Sequence, residues 1–339
     1  MTSLTTLQRR PDRGSHDRTL IHAILDEGLV CHVGFSEGSQ PFVIPTGYAR
    51  DGDRIYLHGA HASRMMTTLA RGVPCCVTVT LLDGLVLARA AKRHSMNYRS
   101  VVIFGSAHAI ESRDEKRRAL ERIVEHVVPG RYAQVRAPSD AELDATRVVE
   151  LSITEASAKT RTGPPVDSEN DSQIQCWAGV IPLRLRKDAP VFEESRGEFC
   201  VSTDRARFEI DAIHRWLSRE AYWSPGITRE KIVRSVEQSL CFGVYGDAQQ
   251  VGFARVITDH ASFAYLCDVF IDERFRGRGL GHFLMQCIHR HPELQGLRGW
   301  FLKTRDAHGL YAKSGWRPLR MPDRFLSFTP EEPPCSSTR

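Results

Sequence analysis

The sequence has no apolar run near the roughly 18 residues that a membrane-spanning helix requires, so no membrane span is predicted. Four arginines within its first 18 residues are interrupted by acidic residues and followed by no apolar segment, which argues against a signal or transit peptide. Internal repeats and long low-complexity segments are also absent. With 41% hydrophobic and 26% charged residues, the composition is that of a folded globular chain.

Cysteine occurs nine times, but the paired spacing that marks disulfide frameworks or metal sites is missing. There is no CxxC, and the only close pair is Cys75-Cys76. Most of the nine lie in apolar strand-like or helical contexts. These features indicate reduced core thiols in a cytoplasmic protein, and no metal site is predicted.

The excess of charge is small as well, because 46 Lys and Arg stand against 41 Asp and Glu and leave a net charge of +5. Such a balance suits small anionic ligands but is too mild to predict binding to nucleic acid. The length of 339 residues favours two domains over one.

A polar, charged stretch over residues 187–200 lacks apolar periodicity and is interpreted as a linker. We therefore predict a first domain over residues 1–190 and a second over residues 191–330. A disordered tail is expected at residues 331–339, which are rich in proline, serine and charge.

The first half predicts mostly strands, and hence a small β-barrel with few helices. Apolar residues at helical spacing over residues 20–25 indicate a helix that Gly28 is expected to end in a left-handed cap. The spacing of Ser112 and Glu115 predicts a capping box at the start of another helix. The predicted strands cover residues 30–35, 41–48, 54–58, 77–80, 98–110 and 148–153.

In the second half, helices precede and follow a run of three strands, which is the pattern of an α/β layer fold. The spacing of apolar residues predicts helices over residues 210–217, 232–236, 279–290 and 307–314. The predicted strands cover residues 240–245, 251–257, 263–271 and 300–303.

The strongest motif is Arg276-Gly277-Arg278-Gly279-Leu280-Gly281, which follows a predicted strand and opens a predicted helix. Glycines at a helix start let several backbone N–H groups converge on one anion, and the helix dipole favours negative charge there. Arg274 adds positive charge nearby. The pattern favours a pyrophosphate ligand, and the alternative is a loop whose glycines only permit a tight turn.

The order of strand, RxxGxG, helix and strand, followed by Leu310-Tyr311-Ala312-Lys313-Ser314-Gly315-Trp316, resembles the GNAT N-acetyltransferase superfamily. The resemblance covers residues 199–328. It implies that the glycine loop holds the pyrophosphate of acetyl-CoA. It also implies that main-chain groups of Val269 and Ile271 bind the pantetheine arm.

The same resemblance implies that Tyr311 protonates the departing thiolate, and the alternative is a core aromatic residue. Where the family often has Asn, seven residues before that Tyr, this chain has Thr304. Asp306 is expected to cap the short helix that follows.

Asp268 lies in an apolar strand beside the expected thioester. Burying a carboxylate costs free energy, so a carboxylate at such a position is expected to have a specific role. An amine attacks a thioester only as the neutral base, so Asp268 is a candidate general base or anchor for a substrate ammonium group. A structural hydrogen bond is the alternative. The acceptor, a small-molecule or protein amine, is expected near Tyr222, Trp223 and Ser224.

Segments in the first half resemble the flavin-nucleotide-binding branch of the pyridoxamine 5′-phosphate oxidase-like superfamily over residues 7–185. The order and spacing of these segments agree throughout that range. They are Arg13-Gly14-Ser15-His16-Asp17-Arg18, Pro41-Phe42-Val43-Ile44-Pro45-Thr46, Ile55-Tyr56-Leu57-His58-Gly59-Ala60, Ser63-Arg64, Asn97-Tyr98-Arg99-Ser100 and Trp177-Ala178-Gly179-Val180-Ile181-Pro182.

The resemblance implies FMN as the cofactor, with another planar cofactor or a degenerate barrel as alternatives. His58, Ser63 and Arg64 would meet the ribityl phosphate at a helix start, where Ser63 also has a simple role as a helix cap. The backbone around the isoalloxazine edge would come from Ile44, Pro45 and Thr46. Residues expected to complete the pocket, across a dimer interface, are Ser95, Asn97, Tyr98 and Ser100.

These patterns predict a mainly β split barrel of the FMN-binding type, followed by an α/β domain of the GNAT fold. The predicted function is acetyl-CoA-dependent N-acetylation of an amine, with a flavin domain of oxidoreductase type. The alternatives are a flavin-dependent redox enzyme with an accessory GNAT domain, and a non-enzymatic flavin or CoA sensor. A homodimer through the barrel is expected, with no nucleic-acid or membrane partner.

Overall fold

The computed structural model describes residues 3–247 and 249–327, and the chain divides into two compact units between Arg186 and Lys187. We call these the N-terminal unit and the C-terminal unit. The predicted disordered tail lies outside the described residues. Within the described ranges, no helix combines the length and the apolar character needed to cross a membrane.

The N-terminal unit is built on a ten-stranded antiparallel sheet. The strand order is β1-β9-β6-β5-β2-β3-β4-β8-β7, and β10 pairs with β5. The strands are β1 (Gly14–Ser15), β2 (Val30–Glu37), β3 (Gln40–Asp51), β4 (Arg54–Ala60), β5 (Pro74–Leu87), β6 (Ser95–Ser106), β7 (His108–Ala109), β8 (Thr146–Ser152), β9 (Glu155–Arg161) and β10 (Gly179–Pro182). The helices are α1 (Arg18–Glu27), α2 (Arg64–Ala70), α3 (Arg113–Val127) and α4 (Asp140–Ala145).

This sheet curls into the predicted barrel, because strands that are remote in the sheet order meet across its interior. Gly105 on β6 faces Leu151 on β8 so closely that an added Cβ would lie 2.9 Å from the Cδ1 atom of the leucine. Alternate residues of the strands fill the interior, including the fully buried Val33, Val77 and Ile103.

The C-terminal unit has a six-stranded sheet in the order β11 to β16, antiparallel except for the parallel pair β15–β16. The strands are β11 (Glu193–Arg196), β12 (Phe199–Ser202), β13 (Leu240–Gly246), β14 (Gln249–Thr258), β15 (Phe263–Ile271) and β16 (Gly299–Leu302). The helices are α5 (Ile210–Arg215, continued by a π-helical turn Trp216–Glu220), α6 (Arg229–Glu237), α7 (Leu280–Arg290) and α8 (His308–Lys313). Helix α7 packs on one face of the sheet, and α5 and α6 pack on the other, as the predicted layer fold requires.

A bulge in β15 inverts the alternation of its side chains. Before the bulge, Ala264 and Leu266 face the α7 core, whereas Phe270 beyond it joins the α5–α6 core. The register with β14 shifts at this point, and Asp268 adopts a left-handed φ of 53°. One extra residue reverses which face each later side chain occupies, so Val269 and Ile271 turn toward α7.

Three sequence expectations for the fold are wrong. Gly28 ends α1 with an extended backbone, φ −74°, and not in a left-handed cap. Glycine is required there by packing, because an added Cβ would lie 2.5 Å from Val79 and 2.8 Å from the hydroxyl of Tyr48. The strand predicted over residues 98–110 is two strands, β6 and β7, which pair with different partners.

The third error concerns the linker over residues 187–200, whose second half is the hairpin of β11 and β12. Gly197 makes its turn with a φ of 62°. A polar edge strand buries few side chains and is held by backbone pairing, so it carries no apolar period to detect. Strand β9 was missed for a related reason, because small alanines fill its inward positions.

Candidate functional site

A cleft of about 800 Å³ opens in the C-terminal unit between the glycine loop, β15, α8 and the loop after α5. It contains most of the residues that the sequence assigned to the nucleotide and to catalysis. The predicted site residues that line the cleft are Val269, Ile271, Arg276, Gly277, Gly279, Leu280, Gly281 and Tyr311. Asp268 and Arg278 are not among the residues that line it.

The glycine loop is held in a conformation that requires glycine at two positions. Gly277 and Gly279 have φ values of 78° and 75°, and Gly279 is the N-cap of α7. No side chain caps this helix, so the N–H groups of its first turn remain directed at the cleft. An anion bound at this end would gain both these donors and the helix dipole.

The arginines around the loop have unequal roles. Arg276 lines the cleft and donates from Nε to the carbonyl of Ile271 at 3.1 Å. Arg274 is paired with Asp272 at 2.9 Å, and Arg278 lies 3.4 Å from Glu198. Of the three, Arg276 is therefore the one placed to contact a ligand in the cleft.

Strand β15 separates from β16 halfway along its length. The parallel pairing ends at Leu266 and Leu302, so the remainder of β15 has no partner strand on that side within residues 3–247 and 249–327. Val269 and Ile271 lie in this unpaired part and line the cleft. Their main-chain groups are therefore placed to bind an extended chain such as pantetheine.

Tyr311 lies on α8 at the inner wall of the cleft and is 9% exposed. Burial, with nearby Tyr222 and Asp306 acting in the same direction, raises the pKa of Tyr311 to about 12. The phenol therefore stays protonated at neutral pH and is available as a proton donor. Its ring also packs edge-on against Trp316, so the core role and the donor role coexist.

The N-cap of α8 is Ala307, and among the described residues no side chain caps the helix, so the expected cap by Asp306 is not observed. Thr304 accepts a hydrogen bond at Oγ1 from the backbone N–H of Ala307 at 3.1 Å. Asp306, the expected cap, instead lies 3.4 Å from Arg305. Thr304, in the position where the family often has Asn, thus stabilises the turn that leads into α8.

Asp268 is engaged on both carboxylate oxygens. Its Oδ2 accepts from Nε of Arg255 at 2.7 Å, and its Oδ1 accepts from Nε1 of Trp223 at 3.2 Å. The side chains of Asp268 and Arg255 are only 12% and 16% exposed. Of the roles considered from the sequence, these contacts favour the structural hydrogen bond.

The loop after α5 forms the opposite wall of the cleft. Tyr222 and Trp223 meet edge-to-face with ring centroids 5.0 Å apart. Arg305 stacks on Tyr222 at 3.7 Å from the ring centroid, and its backbone N–H donates to the tyrosine hydroxyl at 2.7 Å. Ser224 donates to the carbonyl of Leu217 at 2.8 Å and closes the loop.

In the N-terminal unit, the residues assigned to the ribityl phosphate lie around the start of α2. Nδ1 of His58 is buried without a hydrogen-bond partner in the described chain, and burial lowers the pKa of His58. Ser63 is the N-cap of α2, but its hydroxyl makes no capping hydrogen bond, so that simple role is not observed. Arg64 lies 3.5 Å from Glu37 and stacks over Phe42.

The remaining flavin-site residues are split between two strands. Ile44, Pro45 and Thr46 lie on β3, which adjoins β4 and His58. Ser95, Asn97, Tyr98 and Ser100 lie on β6, which β5 and β2 separate from β3 in the sheet. A single copy of the chain therefore does not place the two groups on neighbouring strands.

Two of the β6 residues already have structural partners. Ser100 donates to the carbonyl of Lys159 at 3.2 Å, and the amide of Asn97 donates to the carbonyl of Gly163 at 3.2 Å. Asn97 also accepts from Arg161, a buried cation that the sequence interpretation missed. No local signal marks Arg161, because its burial depends on the fold of the loop that follows β9.

Comparisons with known proteins agree with this two-part architecture. A family model described as pyridoxamine 5′-phosphate oxidase matches residues 17–160, and one described as acetyltransferase (GNAT) domain matches residues 237–318. A protein of Gibberella zeae named "Putative acetyltransferase FG08082" is 30% identical in an alignment of 145 residues, and the match covers 35% of this chain and 79% of that protein.

Two solved structures are similar over more than half of the chain. The flavocytochrome Anf3 from Azotobacter vinelandii is 41% identical, with a TM-score of 0.53, over 56% of this chain and 88% of its own. An FAD and haem binding protein from Mycobacterium smegmatis is 35% identical, with a TM-score of 0.51, over 53% of this chain and 88% of its own.

Fold and site together define a protein that joins a split barrel to an α/β acyltransferase unit. The chain belongs to the GNAT acetyltransferase family through its C-terminal half, and its N-terminal half matches the pyridoxamine 5′-phosphate oxidase family model over residues 17–160. Both resemblances inferred from the sequence are confirmed.

Proposed function

We propose that the C-terminal unit transfers the acetyl group of acetyl-CoA to an amine. The observation that carries this proposal is the meeting, in one cleft, of the glycine loop, the unpaired half of β15 and Tyr311. The pyrophosphate would bind the N–H groups at the start of α7, and the pantetheine arm would follow Val269 and Ile271. The thioester would then lie near the bulge at Asp268.

In this reaction the neutral amine nitrogen attacks the thioester carbonyl carbon. The C–N bond forms, the C–S bond breaks, and the departing thiolate takes a proton from Tyr311, which is restored from solvent. The attacking nitrogen loses its extra proton to water in the cleft. Asp268, the candidate base from the sequence, already accepts hydrogen bonds from Arg255 and Trp223.

The test measures release of the CoA thiol from acetyl-CoA with a panel of primary amines. Tyr311→Phe and Gly279→Glu should each lose transfer activity, because one removes the proton donor and the other places a carboxylate at the anion site. Gly296→Glu is a matched control, since Gly296 has the same kind of backbone (φ 74°) but lies outside the cleft. Transfer at the unmodified rate by Tyr311→Phe and Gly279→Glu would refute the site.

For the N-terminal unit we propose a flavin nucleotide, FMN from the family resemblance, with FAD as the competing form. The flavocytochrome and the FAD and haem binding protein support a flavin here. Nδ1 of His58, which has no partner among the described residues, and the hydroxyl of Ser63, which makes no capping hydrogen bond there, suit the polar edge of such a ligand. A bound flavin would supply hydride or electron transfer.

Purified protein should therefore carry a yellow chromophore, and released cofactor can be separated as FMN or FAD. Colourless protein that takes up neither nucleotide would refute the proposal.

A redox activity is the second candidate function, favoured by the similarity to a flavocytochrome. Oxidation of NAD(P)H with and without a nitro-compound acceptor tests it, and a haem absorption band in the same preparation would extend it.

We also propose that the barrel forms a homodimer, which would bring the β6 residues of one copy to the flavin site of the other. An exposed apolar row crosses three paired strands, with Ile181 opposite Leu85 and Leu85 opposite Met96. Such a row adjoins the predicted pocket residues at the start of β6 and suits burial against a second copy. Light scattering should report twice the chain mass, and a monomer would refute the proposal.

A further inference from the structure

A chain of hydrogen bonds runs from the back of the C-terminal sheet to the wall of the cleft. Nη1 of Arg255 donates to the hydroxyl of Ser239 at 3.2 Å, and Nε of Arg255 donates to Asp268 at 2.7 Å. The other oxygen of Asp268 accepts from the indole N–H of Trp223 at 3.2 Å. Asp268 is thus the link between the rigid sheet and the loop after α5.

The backbone at Asp268 directs its carboxylate to this position. Its φ of 53° lies in the left-handed region, which Asp and Asn tolerate better than other residues with side chains. The bulge turns Val269 toward the cleft while the Asp268 side chain meets Arg255 on β14. The left-handed backbone at Asp268 and its ion pair with Arg255 therefore both fix the position of the carboxylate.

Trp223 is the most exposed member of this arrangement. Its ring is 43% exposed and lines the cleft, and the hydrogen bond to Asp268 is the contact that ties its indole nitrogen to the sheet. Its neighbour Tyr222 is held separately by Arg305. Loss of the Asp268 contact would therefore free the indole without releasing the whole loop.

We propose that Asp268 is a positioning residue that holds the indole of Trp223 across the acceptor side of the cleft and so shields the thioester from water. This inference rests on the proposed acetyl-CoA site. Closed active sites suppress hydrolysis of reactive groups by excluding water. A general base at Asp268 would have the opposite effect on hydrolysis, because its loss would slow the attack of water.

The experiment measures acetyl-CoA hydrolysis with no amine present. Water attacks the carbonyl carbon, the C–O bond forms, the C–S bond breaks, and acetate and the CoA thiol are released. In Asp268→Asn an NH2 donor replaces one of the two carboxylate oxygens that accept from Arg255 and Trp223. If the remaining amide oxygen stays with Arg255, the NH2 group faces the indole N–H donor to donor, and the contact with Trp223 is lost. Asn also keeps the tolerance for the left-handed backbone.

Asp268→Asn should raise the hydrolysis rate by about tenfold, equivalent to ~1.4 kcal/mol. Trp223→Phe removes the indole donor, leaves the Asp268–Arg255 pair intact and should raise the rate similarly. The double variant should show no further rise, because both changes break one contact. Trp300→Phe is the control, since Trp300 is a half-buried indole of the same unit outside the cleft, and it should leave the rate unchanged.

A fall in hydrolysis in Asp268→Asn, or an unchanged rate in Trp223→Phe, would overturn the positioning role. Acetyl-CoA binding is measured by calorimetry on the same proteins and should be equal in all of them. Absence of binding to the unmodified protein would instead refute the proposed function itself, so the two failures are distinguishable.

Discussion

The glycine loop allows a prediction whose size follows from backbone geometry. Gly277 and Gly279 have left-handed φ values of 78° and 75°. An added Cβ would meet nothing within 4 Å at Gly277 and only a guanidinium nitrogen of Arg196, at 3.5 Å, at Gly279. Steric clash is therefore absent, and the cost of Gly→Ala is the strain of a left-handed L-residue, about 1–2 kcal/mol at each position.

Two other glycines of the same unit provide controls. Gly296 has a φ of 74° and open space around it but lies outside the cleft, so Gly296→Ala carries the same strain without touching the site. Gly281 lines the cleft at an ordinary φ, and its added Cβ would meet only the flexible end of Leu310 at 3.2 Å. Gly281→Ala should therefore leave stability nearly unchanged.

Thermal unfolding can be followed by tryptophan fluorescence, because Trp216, Trp223, Trp300 and Trp316 lie in the C-terminal unit and only Trp177 lies in the other. Gly279→Ala and Gly296→Ala should each lower its Tm by about 2–8 °C. Gly279→Ala alone should also weaken acetyl-CoA binding measured by calorimetry. Equal Tm and affinity in Gly279→Ala and the unmodified protein would refute the reasoning.

Three further predictions concern single side chains. Tyr311→Phe should lower kcat for acetyl transfer about 100-fold, because the proton donor is lost. Tm and acetyl-CoA affinity should stay unchanged, because the hydroxyl has no hydrogen bond to the described chain. A kcat within twofold of the unmodified protein would contradict the acid role. His58→Ala should lower the ratio of flavin to protein absorbance, and full flavin retention would exclude His58 from the site. Hydrogen bonds from Arg136 and the N-cap Ser139 lower the pKa of Glu142 from its ordinary 4.5 to about 2. The ionised carboxylate therefore stabilises the folded N-terminal unit above pH 4.5, and this contribution is lost as the pH falls to 2. The melting temperature of the N-terminal unit, followed by circular dichroism, should therefore fall less over that range in Glu142→Gln, and identical slopes would contradict the assignment.

Patterns among neighbouring residues were sufficient to predict much of this molecule. The strand over residues 263–271 and the helix that the glycine motif opens agree with β15 and α7 within one residue. Helix α7 has a clear apolar period, the strand is a nine-residue run of mostly apolar residues, and turn residues follow it, so local chemistry determines the extent of both. The cleft residues Gly277, Gly279 and Tyr311 were predictable because their motif is contiguous or follows at short range.

Contacts between distant residues were decided by the tertiary structure. The carboxylate of Asp268 meets Arg255, 13 residues away, and Trp223, 45 residues away, and these contacts favour the structural hydrogen bond among the roles that its sequence position left open. The bulge that turns Val269 into the cleft depends on the register with β14, which no periodicity in β15 encodes. Side-chain spacing reports which face of an element is apolar, whereas pairing and burial depend on what the fold brings opposite each residue.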